Sequence, residues 1–147
     1  MEIILAENHG FCYGVKRAVE MANEAADGKG KSYTLGPIIH NPQVVGRLES
    51  KGVSPIQEVA DIDEGTMIIR SHGVGPAIYA EAEEKGLHIL DATCPHVKKA
   101  QQDAKSVIED GMTLVILGEK NHPEVKSINL WANNKGIIIE DEESAQK

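Results

Sequence analysis

Three observations predict an α/β fold made of repeated small units, each a parallel sheet flanked by helices. Short β-rich runs alternate with helical patterns, glycines stand where strands must turn into helices, and the chain repeats itself without a gap. The elements read in order as follows. "EIILA" (2–6) is apolar and β-rich and is expected to be the first strand. Val15, Val19, Ala22 and Ala26 then fall on one helical stripe facing a core. "SYTL" (32–35) and "MIIR" (67–70) are the next strands, and Pro76 opens a helix after the second of them, a favoured place for a first-turn proline. "HIL" (88–90) precedes a further helix with Val97, Ala100, Ala104 and Val107 on its stripe. "LVIL" (114–117) and "GIIIE" (136–140) are the last strands, and "EDEESAQK" starts a helix whose acidic first turn suits the N-terminal dipole, with Asp141 at its head. Gly10, Gly36, Gly73 and Gly118 follow strand runs, at the sheet end where parallel α/β proteins build their sites.

Composition narrows the function. The chain has 147 residues, 41% of them apolar, enough for one ordinary α/β domain or two small ones. A net charge of −8 with one Phe and one Trp argues against a nucleic-acid-binding stripe. No run is apolar over the roughly 18 residues of a membrane span, and the N-terminus lacks the basic flank and apolar core of a signal peptide, so the expected compartment is the cytoplasm. There thiols stay reduced, and two distant cysteines are ligands, nucleophiles or buried fillers rather than a disulfide.

The repeat decides between those roles. Shifted by 82 positions, Cys12 falls on Cys94, Val15 on Val97, Lys16 on Lys98, Arg17 on Lys99, Ala18 on Ala100, Leu35 on Leu117, Gly36 on Gly118 and His40 on His122. Each copy reads as cysteine, amphipathic helix, strand, Leu-Gly, histidine. Residues 1–93 are therefore expected to form one α/β unit and 94–147 a second, incomplete one. A single free cysteine ahead of a helix is usually a small buried hydrophobe. Two in duplicated settings point instead to a shared ligand, and soft thiolates suit zinc or an iron–sulfur cluster.

Other motifs are weaker. Cys12 and Arg17 are one residue too close for the Cys-x5-Arg loop of cysteine phosphatases. "DGKGKS" (27–32) lacks the first glycine and the preceding strand of a Walker A loop and reads as a helix stop with a solvated turn, and "GVG" (73–75) is no dinucleotide fingerprint. His9, His88 and His96 carry no motif and read as surface or structural residues. His40, His72 and His122 differ: each follows a strand run, and imidazoles gathered with helix N-termini make a cradle for phosphate or diphosphate. Glu124, two residues after His122, is a candidate to hold a proton for transfer, or a dipole partner at a helix start.

"GFCYGVKRAV", "GPIIHNPQVV", "RSHGV", "DATCPHV" and "NHPEV", in this order, resemble the N-terminal half of the 4-hydroxy-3-methylbut-2-enyl diphosphate reductase family. The resemblance runs over essentially the whole chain. It implies three pseudo-equivalent α/β units around a [4Fe-4S] cluster, each giving one cysteine, of which this chain holds two units. It implies that Cys12 and Cys94 ligate the cluster, that His40, His72 and His122 bind the diphosphate of an allylic substrate, and that Glu124 delivers a proton. An electron donor such as ferredoxin or flavodoxin is implied as partner, with neither nucleic acid nor membrane. The third cysteine-bearing unit has no counterpart here, so the chain reads as an N-terminal part, expected to be inactive alone. A non-redox phosphate-binding α/β module is the alternative, and a two-cysteine zinc site a weaker third.

Overall fold

The computed structural model describes residues 2–7, 9–28 and 30–146. Its elements are α1 (Tyr13–Asp27), β1 (Ser32–Leu35), α2 (Pro42–Ser50), β2 (Val53–Ile56), β3 (Thr66–Ile69), α3 (Pro76–Glu84), β4 (His88–Asp91), α4 (Pro95–Glu109), β5 (Val115–Leu117), α5 (Pro123–Trp131), β6 (Ile137–Ile139) and α6 (Glu142–Ala145). Local chemistry sets the helix starts. Proline begins α2, α3, α4 and α5, where its missing N–H costs nothing. The Asn41 side chain caps α2 by accepting from the Val44 amide at 3.0 Å, and Asp141 and Ser144 cap α6 reciprocally.

The first four strands form one parallel sheet in the order β2-β1-β3-β4, and β5 and β6 a separate parallel pair. Both faces of the larger sheet are covered, as parallel sheets require. Alternation along β3 shows how: Ile68 enters the cluster beneath α1 and α2, with Ala18, Ala22 and Leu48, whereas Met67 and Ile69 enter the opposite cluster with Val59, Ile62 and Ala82. All three β3 side chains are fully buried.

The repeat is visible in the element order. An offset of 82 carries α1 onto the bounds of α4 and places β1, α2 and β2 within two residues of the bounds of β5, α5 and β6. Each copy runs helix, strand, helix, parallel strand; the first is extended by β3, α3 and β4. The two parts lie against each other. The Trp131 indole donates to the Val74 carbonyl at 2.9 Å, and an added Cβ on Gly75 would stand 2.8 Å from Leu130.

Two expectations change. Residues 2–6 form no strand: Ile3, Ile4 and Leu5 are 73%, 83% and 75% exposed, because an apolar run becomes a strand only where a neighbouring edge supplies hydrogen-bond partners, and no strand pairs with it among the described residues. Conversely β2 was not foreseen, since Ser54 and Pro55 interrupt its pattern; it lies at the sheet edge, where proline is tolerated. The turn at 27–32 follows the end of α1 at Asp27 as expected, with Lys29 outside the described residues. His88 and His96 are exposed, and exposed His9 bonds only locally to the Ala6 carbonyl.

Candidate functional site

Both cysteines are N-caps. Cys12 precedes α1 and Cys94 precedes α4, and each carbonyl accepts from the lysine four residues on, Lys16 and Lys98, at 2.9 Å. The two helix starts abut: a Cβ added to Gly14, in the first turn of α1, would lie 2.5 Å from the Cys94 sulfur. Only glycine lets that sulfur lie so close to the α1 backbone. Cys12 is exposed and Cys94 partly buried, both as free thiols. Arg17 fixes the approach to Cys94 by donating to the carbonyls of Thr93 and Asp91 at 3.2 and 3.4 Å. Asp91 in turn accepts from Tyr79, Lys98 and the Thr93 amide. Burial works to raise the Asp91 carboxyl, but the hydrogen bonds from Lys98 and Thr93 outweigh it and hold it below the usual carboxylate range. Burial, reinforced by Asp91, pushes the Tyr79 phenol up to about 12.

The Cys94 amide donates to the Ser71 carbonyl at 2.9 Å, which ties the second thiol to the turn carrying His72. Around that turn the three histidines converge. The His40 and His72 rings are 4.8 Å apart between centroids, and those of His72 and His122 5.7 Å. They come from three segments: His40 just before α2, His72 after β3, and His122 as the N-cap of α5. Burial lowers the His72 pKa to about 4, and the positive character of His40, Arg70 and His122 adds to the effect. Its Nδ1 is buried without a hydrogen-bond partner. His122 Nδ1 accepts from the Glu124 amide at 3.3 Å, so in its neutral form the ring carries its proton on Nε2.

Between His40 and His72 lies a cleft of about 250 Å³, lined also by Phe11, Val15, Ile39, Asn41 and Ser71 and by no carboxylate. Phe11 and Val15, which line this cleft, flank Cys12 in sequence. Glu124 is half-buried in the first turn of α5, and lines a neighbouring cleft of about 350 Å³ with His122 and Gly118. Three gathered imidazoles are chemically able to donate to an anion, with two carboxyls, Glu119 and Glu124, lining the cleft at His122. Among the described residues no three His, Cys, Asp or Glu side chains are grouped to hold a metal ion by themselves. The thiols fit a cluster only as part of a larger ligand set.

The supporting residues were not evident from sequence. The Ser127 hydroxyl donates to the His72 carbonyl at 2.7 Å and accepts from the Gln101 amide at 3.3 Å, with Ser127 and Gln101 both 2% exposed. A signal existed: Gln101 falls four residues after Val97, on a stripe otherwise apolar, and a polar residue there requires a buried partner.

The sequence matches the LytB protein family over residues 3–147. It is 50% identical over its full length to the 4-hydroxy-3-methylbut-2-enyl diphosphate reductase of Geotalea uraniireducens (strain Rf4), and 52% identical to that of Geotalea daltonii (strain DSM 22248 / JCM 15807 / FRC-32), covering 52% of each. Among solved structures it resembles an (E)-4-hydroxy-3-methyl-but-2-enyl diphosphate reductase described as the terminal enzyme of the non-mevalonate pathway. The TM-score is 0.83 at 48% identity, over 96% of this chain and 52% of that one. The corresponding reductase from Plasmodium falciparum gives a TM-score of 0.91 at 32% identity, over 96% of this chain and 45% of that one. The chain spans about half the length of the curated relatives it matches. A match to the family through nearly every residue, with half the positions identical to its curated relatives, means that the chain belongs to the LytB protein family.

Proposed function

We propose that this chain supplies the diphosphate-holding residues and two of the cluster thiolates of a 4-hydroxy-3-methylbut-2-enyl diphosphate reductase, an oxidoreductase of isoprenoid biosynthesis. The observation that carries the reading is the gathering of the His40, His72 and His122 rings from three separate segments, with centroids 4.8 and 5.7 Å apart. A diphosphate entering there meets imidazole donors on several sides. Its negative charge favours the protonated form of His72, which burial disfavours in the free protein, so binding raises the pKa of that ring. Glu124, in the first turn of α5 close to His122, holds a proton for the departing allylic hydroxyl. Cys12 and Cys94 hold a [4Fe-4S] cluster together with a ligand outside this chain, and their placement at two abutting helix starts supports that role. When bound, such a cluster supplies electrons and a Lewis-acidic iron.

The conversion takes up two electrons and two protons, breaks the allylic C–O bond, releases water and leaves isopentenyl or dimethylallyl diphosphate. Ferredoxin or flavodoxin chemistry suits the donor, and the cytoplasm the location; among the described residues no helix is long and apolar enough to cross a membrane. Calorimetric titration of the chain with the substrate diphosphate tests the site. Replacing His40 or His72 by alanine should weaken binding about tenfold or more, the loss of a charge-assisted hydrogen bond. Unchanged affinity in both variants would remove the histidine cluster from the function.

A further inference from the structure

The internal repeat shows which sheet edge is left unfilled. In the first copy β1 is a central strand, with β2 on one side and β3 on the other. The Gly36 amide donates to the Ile56 carbonyl of β2 at 2.7 Å, and the Lys31 carbonyl accepts from the Thr66 amide of β3 at 2.9 Å. Backbone groups alternate sides along a strand, so Tyr33 and Leu35 present theirs to β3. In the second copy the Leu114 carbonyl accepts from the Ile137 amide of β6, and the Gly118 amide donates to the Ile139 carbonyl, both at 2.9 Å. Val115 and Leu117 therefore present their N–H and C=O groups to the opposite edge of β5, where no strand stands among the described residues. Burial shows the same contrast: Leu35 is 8% exposed, and its counterpart in the repeat, Leu117, 80%. Residues 113–117 carry neither charge nor proline, the features that keep an edge from pairing.

The same chain carries a strand-like segment without an edge. Residues 2–5 read Glu-Ile-Ile-Leu, one polar residue and three apolar ones, and β3, which fills the equivalent edge of β1, reads Thr-Met-Ile-Ile. Consecutive apolar residues put apolar groups on both faces of an extended run, the pattern of a strand inside a parallel sheet. In β3 all three are fully buried, whereas Ile3, Ile4 and Leu5 lie largely in solvent. An uncapped edge and an exposed β-prone run are complementary in hydrogen bonding and in apolar surface. Within one chain they stay apart, with residues 2–6 in no ladder. Between two copies they match completely, since each copy offers one segment and needs one, and reciprocal exchange closes with two-fold symmetry.

We propose that two copies of this chain associate by reciprocal strand exchange, residues 2–6 of each pairing with the free edge of β5 in the other, in the place that β3 takes against β1. Leu117 also lines the cleft at His122, so the added strand borders that cleft. Sedimentation equilibrium of the 147-residue chain, under reducing conditions that prevent a disulfide between copies, should show conversion from one chain mass to two by about 100 μM. Ile4→Lys in the segment and Val115→Pro in the edge should each raise the dissociation constant about tenfold or more. Ile4 is 83% and Val115 53% exposed, and the proline removes an amide that β6 does not use, so neither variant threatens the fold. Met112→Lys, at a residue 55% exposed but outside both strands, should leave association unchanged. Mixing the Ile4→Lys and Val115→Pro chains should restore dimers, because the mixed pair retains one intact segment on one intact edge. A monomer throughout would overturn the proposal and leave the edge to a strand of another polypeptide. Parental association in either strand variant, failure of the mixture to dimerise, or an equal loss with Met112→Lys would overturn the exchange as well.

Discussion

At the scale of single residues, His72 couples the site to pH. Its native pKa of about 4 lies below the ordinary histidine value of 6.5, and burial is the main cause. Above pH 6.5 the ring is neutral in both folded and unfolded chains and contributes no pH dependence. As the pH falls from about 6.5 to about 4 the unfolded chain takes up a proton that the native ring refuses, so stability declines through that window and levels off below it. Urea titrations of the wild type and His72→Asn across pH 7 to 4 should show a shallower decline in the variant; identical slopes would mean that His72 is not held neutral. Gly14 makes a steric prediction. Alanine there would place a methyl carbon 2.5 Å from the Cys94 sulfur, too close for any real contact, so α1 and α4 must separate. We expect Gly14→Ala to cost about 1–3 kcal/mol in denaturant unfolding, the range for overpacking, and to increase the rate at which Cys94 reacts with a thiol reagent.

At the scale of elements, α5 carries the coupling. Its Ser127 hydroxyl holds the His72 carbonyl, and its N-cap is His122, so one helix sets the position of two of the three imidazoles. Ser127→Ala leaves that carbonyl and the Gln101 amide without their partner in a buried place. The expected cost is about 1–3 kcal/mol of stability, with a loss of diphosphate affinity, whereas a purely structural serine would lower stability alone. Much of this arrangement was legible in the chain. The 82-residue offset predicts the bounds of α4 from α1, because both helices pair a leading cysteine with the same core stripe, and Pro76 marks the start of α3. What was not legible depends on partners distant in sequence. β2 exists because the edge of β1 accepts a proline-bearing neighbour, and the strand expected at 2–6 is absent because no strand pairs with it among the described residues. The histidines stood out because each follows a strand; Arg70, Ser127 and Gln101 did not, since their roles come from the packing of α5 and α4 against the first sheet. We propose that residues 1–93 and 94–147 are the repeated units. Superposing segments 12–40 and 94–122 should bring Cys12 onto Cys94 and His40 onto His122, and a failure of either pair to coincide would count against duplication.

At the scale of the whole molecule, the reaction and the binding site place different demands on the chain. On the proposed reading, diphosphate binding draws on the three imidazoles and the turns that hold them, and those turns are fastened from within: Ser71 to Ile38, Cys94 to Ser71, Ser127 to His72. Turnover as proposed needs a cluster held on enough thiolates to survive; this chain has two cysteines and spans about half the length of the curated relatives it matches. Two thiolates leave two irons of a four-iron cluster without protein ligands from this chain. Anaerobic reconstitution of the 147-residue chain with iron and sulfide should therefore give a cluster that is substoichiometric and bleaches rapidly in air, and it should fail to form after Cys12→Ser or Cys94→Ser, read by visible absorption and electron paramagnetic resonance. The same chain should bind the substrate diphosphate weakly yet measurably, and show no reductase turnover with a strong electron donor. Robust turnover by residues 1–147 alone would refute the division of labour argued here. A stable cluster in the Cys12→Ser variant would show that these thiols do not hold it.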